Sequence, residues 1–497
     1  MPHPFPRHRL AIATGIVLVA GAVAAPAAAT TVPAAVQAAA VTKAVAGSVA
    51  APSPARLHDD FNGDGYPDVA IGADEARGFH GAVSVLYGGP GGLSKSRKQI
   101  LTWPDRSGLA VPGRAEYGEE LATGDLNGDG YADLVSTLDS PPADGDRGTT
   151  TAVNWGGAGG LAKNATVLRS LPGDQDASGG LAVGDVDGDR KADIVLTDEY
   201  GGGHVLRGPV SRAGVWSGAT PFDSGLNTGP GALPAIGDVT GDGVGDLALV
   251  GRGQYAAVVV LPGGRRGFGT PVEIRDAAGG TVAGGGSVGI ADLNRDGHGD
   301  VVVGTPVDAH EGDRPVRKGG AVLIAYGGAA GQSTALKPVW IHQDTPGVPG
   351  TGESGDSMGS ALALGDTNAD GYPDVLVGLP AEHVSGKPNT GRVLALKGGR
   401  KGVSGTGAKE FGQYTAGVPG TTETNDVFGA AVSLGEYAGK GRAQAVIGAP
   451  RENARQGAIW ILRADSTGLV ARGSVSFGAA TIGAPTGASL FGGRLTD

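Results

Sequence analysis

Residues 125–133 read Asp-Leu-Asn-Gly-Asp-Gly-Tyr-Ala-Asp, which puts three carboxylates, one carboxamide and two glycines into nine positions. The same pattern, D-x-[DNT]-x-D-x-x-x-D, begins at Asp60, Asp125, Asp185, Asp238, Asp292 and Asp366. A degraded copy, EYAGKGRAQ, begins at Glu436. Self-similarity at a period of roughly 60 residues is the mark of a repeat architecture, in which each unit buries its apolar face against its neighbours.

Each loop has the same surroundings. A short apolar run closed by Gly precedes it (ELATG at 120–124, ALALG at 361–365, AVSLG at 431–435), and a second follows (VAIGAD at 69–74, VVVGTP at 301–306, AVIGAP at 445–450). A third run, usually led by Gly, comes next, as in GAVSVLYGG at 81–89 and GRVLALKGG at 391–399. A fourth is expected before the next unit, as in KQILTW and KPVWIH. Short runs rich in Val, Ile, Leu and Ala and bounded by Gly or Pro are strand signals. The first two runs are nearly all apolar, which predicts strands buried on both faces. Seven units of four strands without helical periodicity predict an all-β, seven-bladed β-propeller; a linear β-solenoid is the alternative. The first loop lacks a preceding apolar run, whereas Phe491–Leu495 resembles Tyr117–Leu121, the segment that leads into the second loop. The expectation is a ring closed by the C-terminal strand, since an open solenoid would need caps.

The loops explain the acidity. Positions 1, 3, 5 and 9 carry side-chain oxygens and position 7 offers a backbone carbonyl, while position 6 is Gly in five of six copies. Hard oxygen donors at alternate positions around a glycine turn describe a Ca²⁺ site. The expected ligand sets are Asp60, Asn62, Asp64, Tyr66 and Asp68; Asp125, Asn127, Asp129, Tyr131 and Asp133; Asp185, Asp187, Asp189, Lys191 and Asp193; Asp238, Thr240, Asp242, Val244 and Asp246; Asp292, Asn294, Asp296, His298 and Asp300; and Asp366, Asn368, Asp370, Tyr372 and Asp374. Carboxylates packed within about 4–5 Å repel by on the order of a few kcal/mol per pair, so six copies in one register are hard to explain as plain turns. Arg190 replaces the position-6 Gly of the third loop, which predicts a strained turn there. The seventh loop, with Glu436, Ala438, Lys440 and Gln444 at ligand positions, is expected to bind no metal, with Lys440 paired to Glu436.

Composition agrees with this reading. The 497 residues include 94 Gly and 31 Pro, as a turn-rich chain needs, and 40% are hydrophobic, enough for a core. A formal charge of −11 without a basic patch argues against a nucleic-acid partner. Six divalent ions would offset it. No cysteine is present, so disulfide and thiolate chemistry are excluded. Arg7, His8 and Arg9 precede an apolar stretch, Leu10–Ala25, and small residues at Ala27–Ala29. This is signal-peptide grammar, and residues 1–29 are expected to be cleaved on secretion, with an uncleaved membrane anchor as the alternative, since the apolar stretch is slightly short of a full span. Residues 30–56 are expected to form a disordered linker or pro-segment and 57–497 the propeller, with no membrane span in the mature chain.

Phe428-Gly429, the aspartate loop and Gly448-Ala449-Pro450 together resemble FG-GAP repeats, the units of the N-terminal propeller of integrin α-subunits and related secreted bacterial proteins. The FG position also reads Tyr117-Gly118, Met358-Gly359 and Phe491-Gly492, and the GAP position reads GAD at 72–74, GTP at 304–306 and GLP at 378–380. Blades 2, 3 and 4 lack a clear GAP. The resemblance implies calcium loops between the first two strands of a blade and ligand recognition on the other face or the rim.

Gly355–Gly359 fits the G-x-S-x-G nucleophile motif, but it falls in register with the FG position and is explained by the repeat. The histidines show no zinc spacing. The expected function is a secreted, calcium-binding, non-catalytic recognition or adhesion scaffold, monomeric, for an extracellular protein or glycan. The alternative is an extracellular hydrolase or lyase on a polymer, with its site in the propeller mouth.

Overall fold

The computed structural model describes residues 59–103, 115–140, 148–168, 179–198, 201–225, 232–251, 257–282, 285–311 and 314–496. The expected signal segment and linker lie outside the described residues.

Seven four-stranded antiparallel sheets follow one another along the chain. Blade 2 shows the plan. Its strands Leu121–Gly124, Asp133–Ser140, Gly148–Asn154 and Thr166–Val167 pair in sequence order. Blades 3 to 7 begin at strands Gly180–Gly184, Leu233–Gly237, Ser287–Ala291, Ala361–Gly365 and Ala431–Gly435. These first strands touch those of the neighbouring blades, so they form the hub of a seven-bladed β-propeller. Among the described residues no helix is long and apolar enough to cross a membrane.

The first blade is assembled from both ends of the described chain. Val69–Gly72, Ala82–Leu86 and Lys98–Thr102 supply three strands, and Arg494–Leu495 supplies the innermost one. Ile71 pairs with Leu495 and Gly72 with Arg494. Two further bonds extend the seam: Thr496 N–H donates to the Ala70 carbonyl at 3.0 Å, and Ala70 N–H donates to Thr496 Oγ1 at 3.0 Å. The expected closure is formed.

The second strands are buried throughout, as in Asp374–Leu379 and Gln444–Ala449. The first strands depart from expectation, because those of blades 4 and 5 are only half-buried along their whole length. A hub strand packs on its neighbours but keeps an edge toward the ring axis, where, among the described residues, no further strand pairs with it. Sequence also did not predict the hairpin Ala309–Glu311 with Arg314–Arg317, inserted between the second and third strands of blade 5. Trp103, Trp155 and Trp460 are buried in the core.

The FG and GAP positions meet across blade boundaries. A Cβ added to Gly72, Gly304, Gly378 or Gly448 would lie 2.2, 2.1, 2.0 or 1.9 Å from the carbonyl oxygen of Gly118, Gly359, Gly429 or Gly492, respectively. Only glycine lets the two backbones approach so closely. The preceding aromatic or Met side chain then fills the space beside the seam: Tyr117, Met358, Phe428 and Phe491 are each 2% exposed or less. Ser357 of the G-x-S-x-G stretch sits at φ 64° in this corner, leading into strand Ala361–Gly365 and not into a helix.

Candidate functional site

The aspartate-rich loops join the first two strands of blades 2 to 6, and in blade 1, whose innermost strand comes from the other end of the chain, the loop at Asp60 leads into Val69–Gly72; all six therefore share one face of the ring. Their turns are made by the same carboxylates that would bind a cation. In the first loop, Asp60 Oδ1 accepts N–H bonds from Gly63 at 2.7 Å and Asp64 at 3.1 Å, and Oδ2 accepts one from Gly65 at 2.8 Å. Asn62 Oδ1 accepts from Asp64 N–H at 2.8 Å, and Asp64 Oδ1 from Tyr66 N–H at 3.1 Å. Loops beginning at Asp125, Asp185 and Asp366 repeat this nesting. Loops at Asp238 and Asp292 keep the bonds to positions 5, 6 and 7.

Such nesting needs two left-handed residues, and sequence revealed one. Position 6 has positive φ as expected, including Arg190 at 68°. Position 4 has it too, and there Arg295 and Ala369 adopt φ of 60° and 62°. Non-glycine residues at such angles store strain, of order 1 kcal/mol or more each.

The position-9 aspartates are held by the backbone on both oxygens. Asp68 Oδ2 accepts from Phe61 N–H at 2.9 Å, and Oδ1 from Gly88 N–H at 2.8 Å, which ties the loop to the turn after the third strand. Asp133, Asp193, Asp300 and Asp374 do the same. In Asp246 one of the two donors is Thr240 N–H, at 2.7 Å. Burial pushes the Asp68 carboxyl up to about 8, Asp133 and Asp300 to about 7 and Asp193 to about 6, with the loop's other carboxylates adding to the effect. Asp246 and Asp374 are raised for the same first cause.

These residues suit a hard cation. Carboxylate oxygens of Asp185, Asp187 and Asp193 lie within 4.8 Å of one another. In the fifth loop Asn294 Oδ1 is buried with no hydrogen-bond partner. The donors are all oxygen, which matches the preference of Ca²⁺.

Position 7 has a second task that sequence did not show. Its side chain packs on the preceding blade's loop: Tyr131 against Gly63, Val244 against Gly188, His298 against Gly241 and Tyr66 against Gly439. Where position 4 is Arg295, its guanidinium sits over the Tyr372 ring, 5.7 Å from the centroid. Lys191 instead turns back on its own loop and pairs with Asp189 at 2.9 Å. Arginines from outside the loops add partial neutralisation: Arg207 contacts Asp187 at 3.2 Å, and Arg212 contacts Asp129 at 2.9 Å.

In the seventh loop the expected ion pair is missing: among the described residues no ion pair joins Lys440 to Glu436. Both side chains are exposed, where water competes with the pair and leaves it worth little.

A pH dependence follows for the metal-free protein. The unfolded aspartates titrate near 4, whereas the folded position-9 groups bind protons up to pH 6–8. Between those limits the folded state holds more protons, so stability falls as pH rises. The metal-free melting temperature is expected to be higher at about pH 5.5 than at about pH 8, and excess Ca²⁺ to remove the difference. A metal-free melt that rises toward pH 8 would contradict this.

The ring, its seams and its loops agree with family comparisons. An FG-GAP-like repeat model matches residues 60–136 and 125–196, and an FG-GAP repeat model matches 358–396. FG-GAP repeats are thus found over residues 60–196 and 358–396 of this propeller. The chain is 38% identical over 112 residues to phosphatidylinositol-glycan-specific phospholipase D of Mus musculus, a match covering 22% of this chain and 12% of that protein. It is 31% identical over 258 residues to integrin alpha-PS2 of Drosophila melanogaster, covering 45% and 17%, and 33% identical over 135 residues to integrin alpha-6 of Homo sapiens, covering 27% and 10%. The matches thus span less than a fifth of these relatives' length. A solved neuraminidase-like protein of subtype N11, from A/flat-faced bat/Peru/033/2010, aligns with TM-score 0.34 and 8% identity, over 72% of this chain and 85% of that one; a likeness of that size carries no argument.

Proposed function

We propose that the protein is a secreted, non-catalytic recognition scaffold for an extracellular protein or glycan, with Ca²⁺ in six of its seven loops. The observation that carries the reading is a cavity of about 370 Å³ at the ring mouth. Its lining comes from the far ends of the second strands, so it opens on the face opposite the aspartate loops. Blades 1, 6 and 7 contribute Asp74, Pro380, Asn389, Pro450, Arg451 and Arg494. Two guanidinium groups, one carboxylate and a carboxamide converge over apolar corners. Such a set orients a polar ligand by charge and hydrogen bonds while the apolar floor supplies contact area. Burial raises the Asp74 carboxyl, and Arg494 opposes that rise. The calcium loops would hold the opposite face rigid, leaving the mouth corners to vary. The targeting grammar of residues 7–29 supports export.

Recognition is tested against extracellular polysaccharides and secreted proteins immobilised on an array. Saturable binding without turnover is expected, weakened roughly tenfold in Arg451→Ala, as loss of one charged hydrogen bond predicts. Hydrolysis or elimination of a bound polymer, abolished in a folded Asp74→Asn variant, would overturn the reading in favour of an enzyme.

A further inference from the structure

Blades 6 and 7 carry a second acidic constellation, away from the aspartate loops and near the FG–GAP corners. In blade 7 it comprises Glu423 and Asp426, on the segment entering the blade, and Glu452, in the turn after the second strand. Their carboxylate oxygens lie within 4.8 Å of one another, with Asp426 2% and Glu452 8% exposed. Asp426 Oδ2 accepts the Glu423 N–H at 2.8 Å. The Gln413 carboxamide, 6% exposed, sits among them: its Nε2 donates to Glu452 Oε2 at 2.9 Å, and its Oε1 is buried with no hydrogen-bond partner.

Blade 6 has the same arrangement. Glu353 N–H donates to Asp356 Oδ2 at 2.8 Å, and Gln343 Nε2 donates to Glu382 Oε2 at 2.9 Å. There a cation is built in. Arg392, first residue of the third strand, pairs with Glu382 and Glu410. Strand registers put Arg392 opposite Leu379 and Ala458 opposite Ala449, so Ala458 is the blade 7 counterpart of Arg392. Likewise Leu394 pairs with Glu410 and Trp460 with Ser476, so Ser476 stands where blade 6 has Glu410. Blade 7 has kept the buried carboxylates and lost their guanidinium.

We propose that Glu423, Asp426 and Glu452, with Gln413, form a divalent-cation site in blade 7, the ion standing where the Arg392 guanidinium stands in blade 6. Two buried carboxylates beside a third need protons or a counter-charge, and a solvent cation supplies the counter-charge where the described residues do not. All donors are hard oxygens, which selects Ca²⁺ over thiophilic metals. Glu423 is exposed and gives the ion a way in from solvent.

Equilibrium dialysis of the full secreted chain against Ca²⁺, comparing wild type with Ala458→Arg and Glu452→Gln, tests the site. The readout is the difference in bound Ca²⁺, so it does not depend on how many aspartate loops fill. Each variant is expected to bind one equivalent fewer. Ala458→Arg restores the blade 6 cation and is expected to melt at least as high as wild type without metal, which separates loss of the site from misfolding. Equal stoichiometry in all three proteins overturns the proposal and shows that the carboxyls are neutralised by shared protons.

Discussion

Removal of divalent ions is expected to lower the melting temperature by on the order of 10–20 °C. Each site that binds only the folded state adds RT ln(1 + [L]/Kd), about 2.7 kcal/mol at a hundredfold excess of ligand over Kd. Six such loops act on a ring whose unfolding entropy, scaled by length, approaches 1 kcal/mol per kelvin, which gives a shift of about that size. The loops make the effect cooperative between blades. Ala132 N–H donates to the Asp60 carbonyl at 2.9 Å, Gly245 N–H to Asp185 at 2.9 Å and Ala443 N–H to Asp366 at 2.8 Å. An ion that fixes position 1 of one loop therefore also fixes the carbonyl that accepts the N–H of the next blade's loop. Calorimetry with and without chelator at about pH 8, where the buried aspartates are most fully charged, checks this. Coincident melts would remove the metal from the account.

The second large effect is expected at the closing seam. Phe491→Ala is expected to destabilise the protein by about 3–5 kcal/mol, the usual cost of a buried Phe truncation. Phe491 is fully buried and packs with Ile71, Val446, Ile459 and Ile482, drawn from blades 1 and 7 and the link between them. The strand it introduces, Arg494–Leu495, is only two residues long, so side-chain packing has to supplement its few backbone bonds. Phe428→Ala, at the seam of blades 6 and 7, serves as the reference. Urea denaturation is expected to show a similar loss for both, with a lower slope for Phe491→Ala if the first blade opens alone. A loss below about 1 kcal/mol at Phe491 would mean that the tail does not hold the ring closed.

The repeat was legible because its determinants are local. An aspartate loop needs Asp and Gly at fixed offsets, and a strand needs a short apolar run between turns, so both can be counted along the chain. The match between FG and GAP positions was visible only in part. Sequence showed FG at Tyr117, Met358, Phe428 and Phe491, and GAP at Gly72, Gly304, Gly378 and Gly448. Their pairing across blades, glycine to carbonyl, explains why the GAP of one blade and the FG of the next fade together at the boundaries between blades 2 and 3, 3 and 4, and 4 and 5: a boundary without that glycine-to-carbonyl pair requires neither. The two left-handed positions per loop were half legible, since Arg295 and Ala369 hide the need at position 4. The blade 7 acidic cluster left no signal by itself. Glu423, Asp426 and Glu452 look like surface charges in the chain, and only the Arg392–Ala458 correspondence gives them meaning.

The amino-acid sequence by itself determined the number of blades, their strand order, the oxygen-rich loops and the segment that completes the first blade. All of these depend on residue type at short, repeated spacing. The tertiary structure decided which carboxylates are buried, which arginines neutralise them, and that Asp74, Arg451 and Arg494 meet at one mouth. Those properties depend on distances between residues far apart in the chain, set by the angle at which each blade packs on the next, and no local spacing encodes that angle.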